Sequence, residues 1–533
     1  RKGAAILRML RTWLTHSGAG HVHPELEKGD IFMKAMKDYL GAYRHKTATT
    51  ADLLHTIEKT QHIPGLADMM DKWMYQKYIP ILRVNTSRGT DVVVNQSPLP
   101  PMEGACEDTP AEADPASSPW QVPVTYIMGN EDHLGWTLMK GCGSRAAIYT
   151  LQGPNDFVKL NYNQIGLYSV SYSPPLWERL IQAAQRLPDN GEKYIEGADL
   201  AGLIQDSYYQ AAYGETDPTV FLKLLHLLGR RPLETAPWFV AVDVLHDFNA
   251  KLKKAGNGQQ SCVDDLARLV RRHMLAGFVP IGMSDRPPAD ASHIRQGLKP
   301  LSLASASTAK GYNDRVLRPL MLGLAGKFGD KLVQGDSLRE LERAQAANVP
   351  PPGDIRYLTY KMAALSSEQG WERVREVYLS ADGAAEKDQA LMALSNVELP
   401  GLVDKALQFA LSADVRSQDM VWFIKYIGSN SELALDSAVK FAKEHWDHIG
   451  ARFDSKDERS HQLGSLLGLA GGYSSQDKLD MLLHWWEASK GDIGEEYYLN
   501  SARDSIKANM EWSSRVLTPA CNWIHQELLE PIP

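Results

Sequence analysis

Histidine, cysteine and paired carboxylates are the side chains that hold metals and move protons, and in this sequence they are scattered. None of the 16 histidines is followed directly by Glu. A His-Glu-x-x-His helix, which sets two imidazoles one turn apart around zinc with the Glu as base, is therefore missing. His445 and His448 lie three apart and can share a helical face, but no third ligand accompanies them, and His21 and His23 sit in a Gly-rich stretch. GCGSRA, residues 141–146, has the spacing of a dinucleotide loop, yet the following AIYTLQGP is strand-like and ends in Pro154. A pyrophosphate site needs a helix N-terminus there. No nucleophile elbow or Walker loop occurs, and the acidic pair Glu495 and Glu496 reads as a solvated face. Cys106, Cys142, Cys262 and Cys521 are far apart with no CxxC. That pattern argues against a thiolate zinc site and against a disulfide framework, and is read as reduced thiols of a cytoplasmic protein.

The elements that would carry any site come next. A chain of 533 residues allows several domains at ~150 residues each. The net charge of −8 lacks the basic excess of a nucleic-acid binder. No apolar run reaches the ~18 residues of a membrane span. Residues 1–78 read as helices. Ile6, Leu7, Leu10, Trp13 and Leu14 form one apolar face, Asp30 can cap the next helix, and Thr49 with Asp52 resembles a capping box. Residues 79–172 switch to period-two alternation, with a turn at SRGT (87–90), the pattern of a small β-sandwich. Within it, 97–119 is rich in Pro and acids and reads as a disordered insertion. Residues 173–533 show helical periodicity with short breaks, which predicts stacked helical hairpins in an irregular HEAT- or armadillo-like α-superhelix, with a long loop over 278–311. The tryptophans there, including Trp371, Trp422, Trp446, Trp485 and Trp486, read as core. The fold class is thus mainly α with a small β-sandwich, and the residues alone suggest a peptide- or protein-binding scaffold.

Several stretches in order along the chain resemble the gluzincin-type zinc aminopeptidases, the family of aminopeptidase N, puromycin-sensitive aminopeptidase and the endoplasmic-reticulum aminopeptidases. They are Lys2-Gly3-Ala4, Asp52-Leu53, Trp73-x-x-Gln76, Pro80-Ile81-Leu82-x-Val84, Lys159-Leu160-Asn161, Asn163-Gln164-x-Gly166-x-Tyr168-x-Val170, Pro237-Trp238, Arg416-x-Gln418-Asp419 and Asn509-x-x-Trp512. Ser169 departs from the pattern, since many members carry Arg there, which puts a local ion pair in doubt.

The resemblance implies that residues 1–78 are the helical end of a thermolysin-like catalytic domain and that 79–172 and 173–533 are the family's sandwich and helical domains. It implies a zinc-dependent parent whose metal ligands, Gly-x-Met-Glu-Asn loop and catalytic Tyr are outside this sequence. Met102-Glu103 is followed by Gly104 and does not match that loop, and the Tyr would directly precede Arg1. No zinc or other cofactor is expected in this chain. Peptide substrates and the missing N-terminal and catalytic domains are the expected partners, with the helical domain capping the active site and gating access. Some members bind a peptide carboxylate through a helical-domain Arg. Arg416 is the candidate by motif, beside the simpler reading of an ion pair with Asp419. The alternative to an enzyme's non-catalytic region is a stand-alone helical binding protein.

Overall fold

The computed structural model describes residues 2–17, 31–61, 65–76, 78–99, 120–141, 147–186, 195–230, 234–255, 259–275, 280–281, 301–302, 312–493 and 496–529. The chain divides into two compact units, 1–224 and 225–533.

The first unit opens with helices α1 (Lys2–Ser17), α2 (Ile31–Ala42), α3 (Thr50–Gln61) and α4 (Leu66–Tyr75). Helix α1 buries Ile6, Met9, Leu10, Trp13 and Leu14. Leu7, expected on that face, is 42% exposed, because a helix returns to one face every three or four residues and Met9 takes the inward place. The capping box is present: Thr49 Oγ1 accepts from the Asp52 amide at 3.2 Å, and Asp52 Oδ2 accepts from the Thr49 amide at 2.7 Å. The expected cap at Asp30 lies outside the described residues.

Strands β1 (Ile79–Ser87) and β2 (Asp91–Leu99) form an antiparallel hairpin, with Arg88 at φ 50° and Gly89 at φ 85° supplying the left-handed turn. Residues 97–99, expected in the disordered insertion, are instead the end of β2. Ile79 opens β1, and its nine residues pair with nine on β2 from Ile79↔Leu99 to Ser87↔Asp91, which satisfies the backbone there. The remainder of the insertion, 100–119, lies outside the described residues. The strands β3 (Gln121–Met128), β4 (Glu131–Lys140), β5 (Tyr149–Thr150), β6 (Val158–Leu160) and β7 (Ser169–Tyr172) complete two sheets, of order β5-β2-β1-β7 and β4-β3-β6. Helices α5 (Pro174–Gln185), α6 (Gly197–Ala212) and α7 (Thr219–Leu228) follow.

A buried polar weld joins the sandwich to α6. Lys159 Nζ donates to Asp199 Oδ1 at 2.5 Å and to the Asn161 carbonyl at 2.7 Å, and both side chains of the pair are 1% exposed. Asp199 also accepts from the Asn163 amide at 2.6 Å. The Asn161 side chain closes its own loop by donating to the Gly166 and Tyr168 carbonyls. Two helical turns on, Ser169 Oγ donates to Asp206 Oδ1 at 2.8 Å, and the Val170 amide to Oδ2 at 3.0 Å. Ser169 thus meets Asp206 as a hydroxyl rather than a cation. Burial pushes the Asp206 carboxyl up to about 6, with the Ser169 and Val170 hydrogen bonds and then Lys159 only partly opposing it. Glu215 pairs with Arg83 of β1 at 2.6 Å. These bonds hold α6 and the start of α7 in the sandwich's unit, so the compact division falls at 224/225 rather than at 172/173.

The second unit is helical: α8 (Thr235–Lys254), α9 (Gln260–Leu269), α10 (Tyr312–Lys327), α11 (Lys331–Ala346), α12 (Arg356–Ser366), α13 (Glu368–Ser380), α14 (Ala384–Leu394), α15 (Pro400–Leu411), α16 (Ser417–Gly428), α17 (Glu432–Glu444), α18 (Trp446–Gly450), α19 (Lys456–Leu467), α20 (Gln476–Ile493), α21 (Tyr497–Trp512) and α22 (Thr518–Leu529). A two-residue parallel pair, β8 (Pro280–Ile281) and β9 (Leu301–Ser302), lies in the expected loop. Successive helices pack on their neighbours, as in stacked hairpins, around a continuous core. Trp371, Trp485 and Trp486 are buried in that core, and Trp422 and Trp446 pack against it. Helix α8 also packs on α10 and α17, and α22 lies on α9, so the array folds back on its own beginning. There Cys262 and Cys521 form a disulfide. This corrects the expectation of reduced thiols: 259 residues separate the pair in sequence, and only the return of α22 to α9 brings the sulfurs together. Cys106 and Cys142 lie outside the described residues.

Lys159→Met is expected to cost about 3–5 kcal/mol in urea unfolding, because Asp199 is left buried without its counter-charge, and Lys159→Met with Asp199→Leu should regain most of the loss. Replacing Cys262 by Ser should lower the stability of the second unit by about 2–5 kcal/mol, read as a shift that a reductant reproduces in the unaltered protein.

Candidate functional site

The second unit has a cavity of about 820 Å³ whose wall mixes charged, amide and apolar side chains. Helix α8 contributes Asn249 and Lys253, α10 contributes Lys327, α17 contributes Asp436, and the turn after α14 contributes Glu398. Their placement follows from local packing. Helix α8 buries Trp238, Ala241, Leu245, Phe248 and Leu252, which commits its apolar stripe to the core and leaves Lys253 beside it at the cavity wall. At the centre Glu398 accepts from Lys253 at 2.7 Å and from Lys327 at 3.0 Å. Burial works against ionisation of Glu398, but the two ammonium groups outweigh it and hold the carboxyl down at about 2. Burial lowers the Lys253 ammonium, with Glu398 opposing. A second cavity of about 420 Å³ shares Asn249, Lys327 and Asn396 with the first.

Charges of both signs and amide groups suit the carbonyls, amides and side chains of a polypeptide. Among the described residues no group of three or more His, Cys, Asp or Glu side chains is placed to hold a metal ion. No described helix is long and apolar enough to cross a membrane.

Arg416 stands at the N-cap of α16, where its guanidinium pairs with Asp419 and with Asp388 at 2.7 Å. Asp419 in turn accepts from Trp422 Nε1 at 3.1 Å. Arg416 lines neither cavity. His445 ends α17 with its ring 4.4 Å from that of Phe441, and His448 is exposed on α18. Glu496 is exposed. His21, His23, Met102, Glu103, Glu495 and residues 142–146 lie outside the described residues. Lys253, Lys327 and Glu398 carry no sequence motif. A lysine next to a strongly apolar helical stripe, as in AKLKK at the end of α8, is the only local hint.

The sequence profile of the ERAP1-like C-terminal domain matches residues 157–508. The chain belongs to this family. It is 24% identical to glutamyl aminopeptidase of Sus scrofa over 96% of its own length and 49% of the relative's. The human glutamyl aminopeptidase gives 24% over 96% and 48%, and the thyrotropin-releasing hormone-degrading ectoenzyme of Mus musculus 22% over 98% and 46%. The chain spans about half the length of the curated relatives it matches, and corresponds to the C-terminal part of aminopeptidases. The ERAP1-like C-terminal domain begins at Phe157, so it takes in the Lys159–Asp199 weld and most of the helical array, including both cavities.

Glu398→Gln is expected to lower stability by about 2 kcal/mol at neutral pH, since Lys253 and Lys327 lose the negative charge they share and one of its two accepting oxygens. The carboxyl sits below its ordinary 4.5, so its contribution is complete above pH 4.5 and is lost as pH falls toward about 2. Denaturant unfolding of both proteins across acid pH should show the gap closing on acidification.

Proposed function

We propose that this chain is the non-catalytic C-terminal region of a zinc-dependent aminopeptidase, and that its helical domain caps the active site and helps bind and gate peptide substrates. The observation that carries the reading is a cavity presenting charged and amide groups within a unit of the ERAP1-like C-terminal domain family. In such an enzyme zinc polarises the scissile carbonyl and activates water, and residues beyond this chain hold it. The part left to this chain is binding. Lys253, Lys327 and Glu398 offer fixed donors and an acceptor to a peptide's backbone and charged groups, and their mutual pairing keeps them oriented before a peptide arrives. Glutamyl aminopeptidase and thyrotropin-releasing hormone-degrading ectoenzyme are names for enzymes acting on peptides, in keeping with peptide substrates and a catalytic partner domain here.

As part of the same proposal, the chain works in an oxidising compartment rather than the cytoplasm. The Cys262–Cys521 disulfide supports this, because such bonds persist where thiols are not kept reduced.

The purified chain is expected to bind labelled peptides saturably by fluorescence anisotropy, to retain no stoichiometric zinc, and to leave aminoacyl fluorogenic amides intact. Zinc-dependent turnover by the chain alone would overturn the non-catalytic assignment, and absence of peptide binding would overturn the substrate role.

A further inference from the structure

We infer that the smaller cavity, walled by α8, α10 and α12, is a binding site for a divalent oxyanion of the phosphate class. It holds about 420 Å³, and three helices remote in sequence converge on it: α8 with His246 and Lys254, α10 with Lys327, and α12 with Lys361. The proposal does not depend on the aminopeptidase reading.

Charge is the first observation. Asp247 is the one carboxylate that lines this cavity, against three lysines. Glu398 reaches Lys327 from the neighbouring cavity at 3.0 Å, but it is held more closely by Lys253 at 2.7 Å. Lys361 has no carboxylate partner among the described residues, and burial followed by the nearby Lys327 pushes its ammonium down to about 8. Glu398, shared between Lys253 and Lys327, offsets only part of this, and the cavity wall keeps a net positive charge. A buried ammonium without a counter-charge is unfavourable, and an oxyanion seated between α10 and α12 removes that deficit.

The second observation is His246. Its Nε2 is fully buried with no hydrogen-bond partner. Burial, then Lys361 and Lys327, hold the ring pKa at about 3, so the imidazole is neutral at physiological pH. In the Nε2–H tautomer it donates one hydrogen bond without adding charge. A buried orphan donor beside ammonium groups in excess of nearby carboxylates is the donor set of an oxyanion site, in which lysines supply charge and a neutral ring supplies direction. Tyr426 lines the same space, whereas Tyr357 is hydrogen-bonded to Asn396 and the Asn396 and Asn430 amides are committed to backbone carbonyls. The volume exceeds a bare phosphate ion, and the remainder admits either ordered water or the rest of a phosphorylated molecule.

Calorimetric titration of the full chain tests this at low ionic strength, using inorganic phosphate, acetate at matched ionic strength, and a phosphoserine peptide beside its unphosphorylated twin. Saturable phosphate binding is expected, with acetate weaker by about tenfold or more. Lys361→Met should weaken phosphate by about tenfold or more, while Lys440→Met, which alters an exposed lysine on α17, should leave it unchanged. Phosphate should also raise the melting temperature of the unaltered protein above its value in acetate, which keeps the test valid if Lys361→Met does not fold. Inorganic phosphate binding ahead of the phosphopeptide identifies a free ion as the ligand, and the reverse order an attached phosphoryl group. Binding no tighter than acetate, or equal binding by Lys361→Met, would overturn the site.

Discussion

The structure depends most on an ion pair that is expensive unless complete. Lys159 and Asp199 are both withdrawn from water, and a buried pair stabilises only when its remaining donors and lone pairs are used. Here they are: Lys159 also donates to the Asn161 carbonyl, and Asp199 also accepts from the Asn163 amide. The left-handed backbone at Asn161 and Asn163 is what brings that carbonyl and that amide to the pair, and the Asn161 side chain pins the loop by bonding Gly166 and Tyr168. Strand β6, the loop and helix α6 therefore order together. Most of the aminopeptidase-like residues quoted from this stretch, Lys159, Asn161, Asn163, Gly166 and Tyr168, are members of this one network or its loop, which gives the resemblance a physical basis.

The second unit faces a different constraint. A helical array with a continuous apolar core can be long, but its cavity must be lined by something, and here lysines, asparagines and carboxylates share the wall with apolar side chains. Within the larger cavity Lys253, Lys327 and Glu398 neutralise each other in part. In the smaller one His246 Nε2 is left without a hydrogen-bond partner, and burial and Lys327 push the Lys361 ammonium down. Polar atoms kept this way in a packed interior are better suited to an external ligand than to folding. The disulfide between α9 and α22 ties together the two helices that close the array, so its loss should loosen the fold-back.

What the sequence disclosed was local chemistry. The SRGT turn, the Thr49–Asp52 box and the tryptophan stripes are decided within a few residues, and each is found as expected. The misses are long-range. Leu7 faces out because of what α1 packs on, residues 97–99 are strand because β1 starts early enough to pair them, and Cys262 meets Cys521 only through the return of the last helix. The cavity residues were illegible for the same reason: α8, α10, α12 and the turn at Glu398 converge only in the folded unit, and a single lysine on each carries no spacing. Arg416, which did stand in a motif, is held by Asp419 and Asp388 away from both cavities.

The central claim is that the helical unit meets peptide through its cavity rather than through its outer helices. Amide hydrogen exchange with and without a saturating peptide tests it most directly. The account predicts added protection in α8, α10, α12 and the turn carrying Glu398, with α13 and the far side of the array unchanged. Protection confined to α13 or to other helices that do not line the cavities, or no change anywhere under saturating peptide, would contradict it.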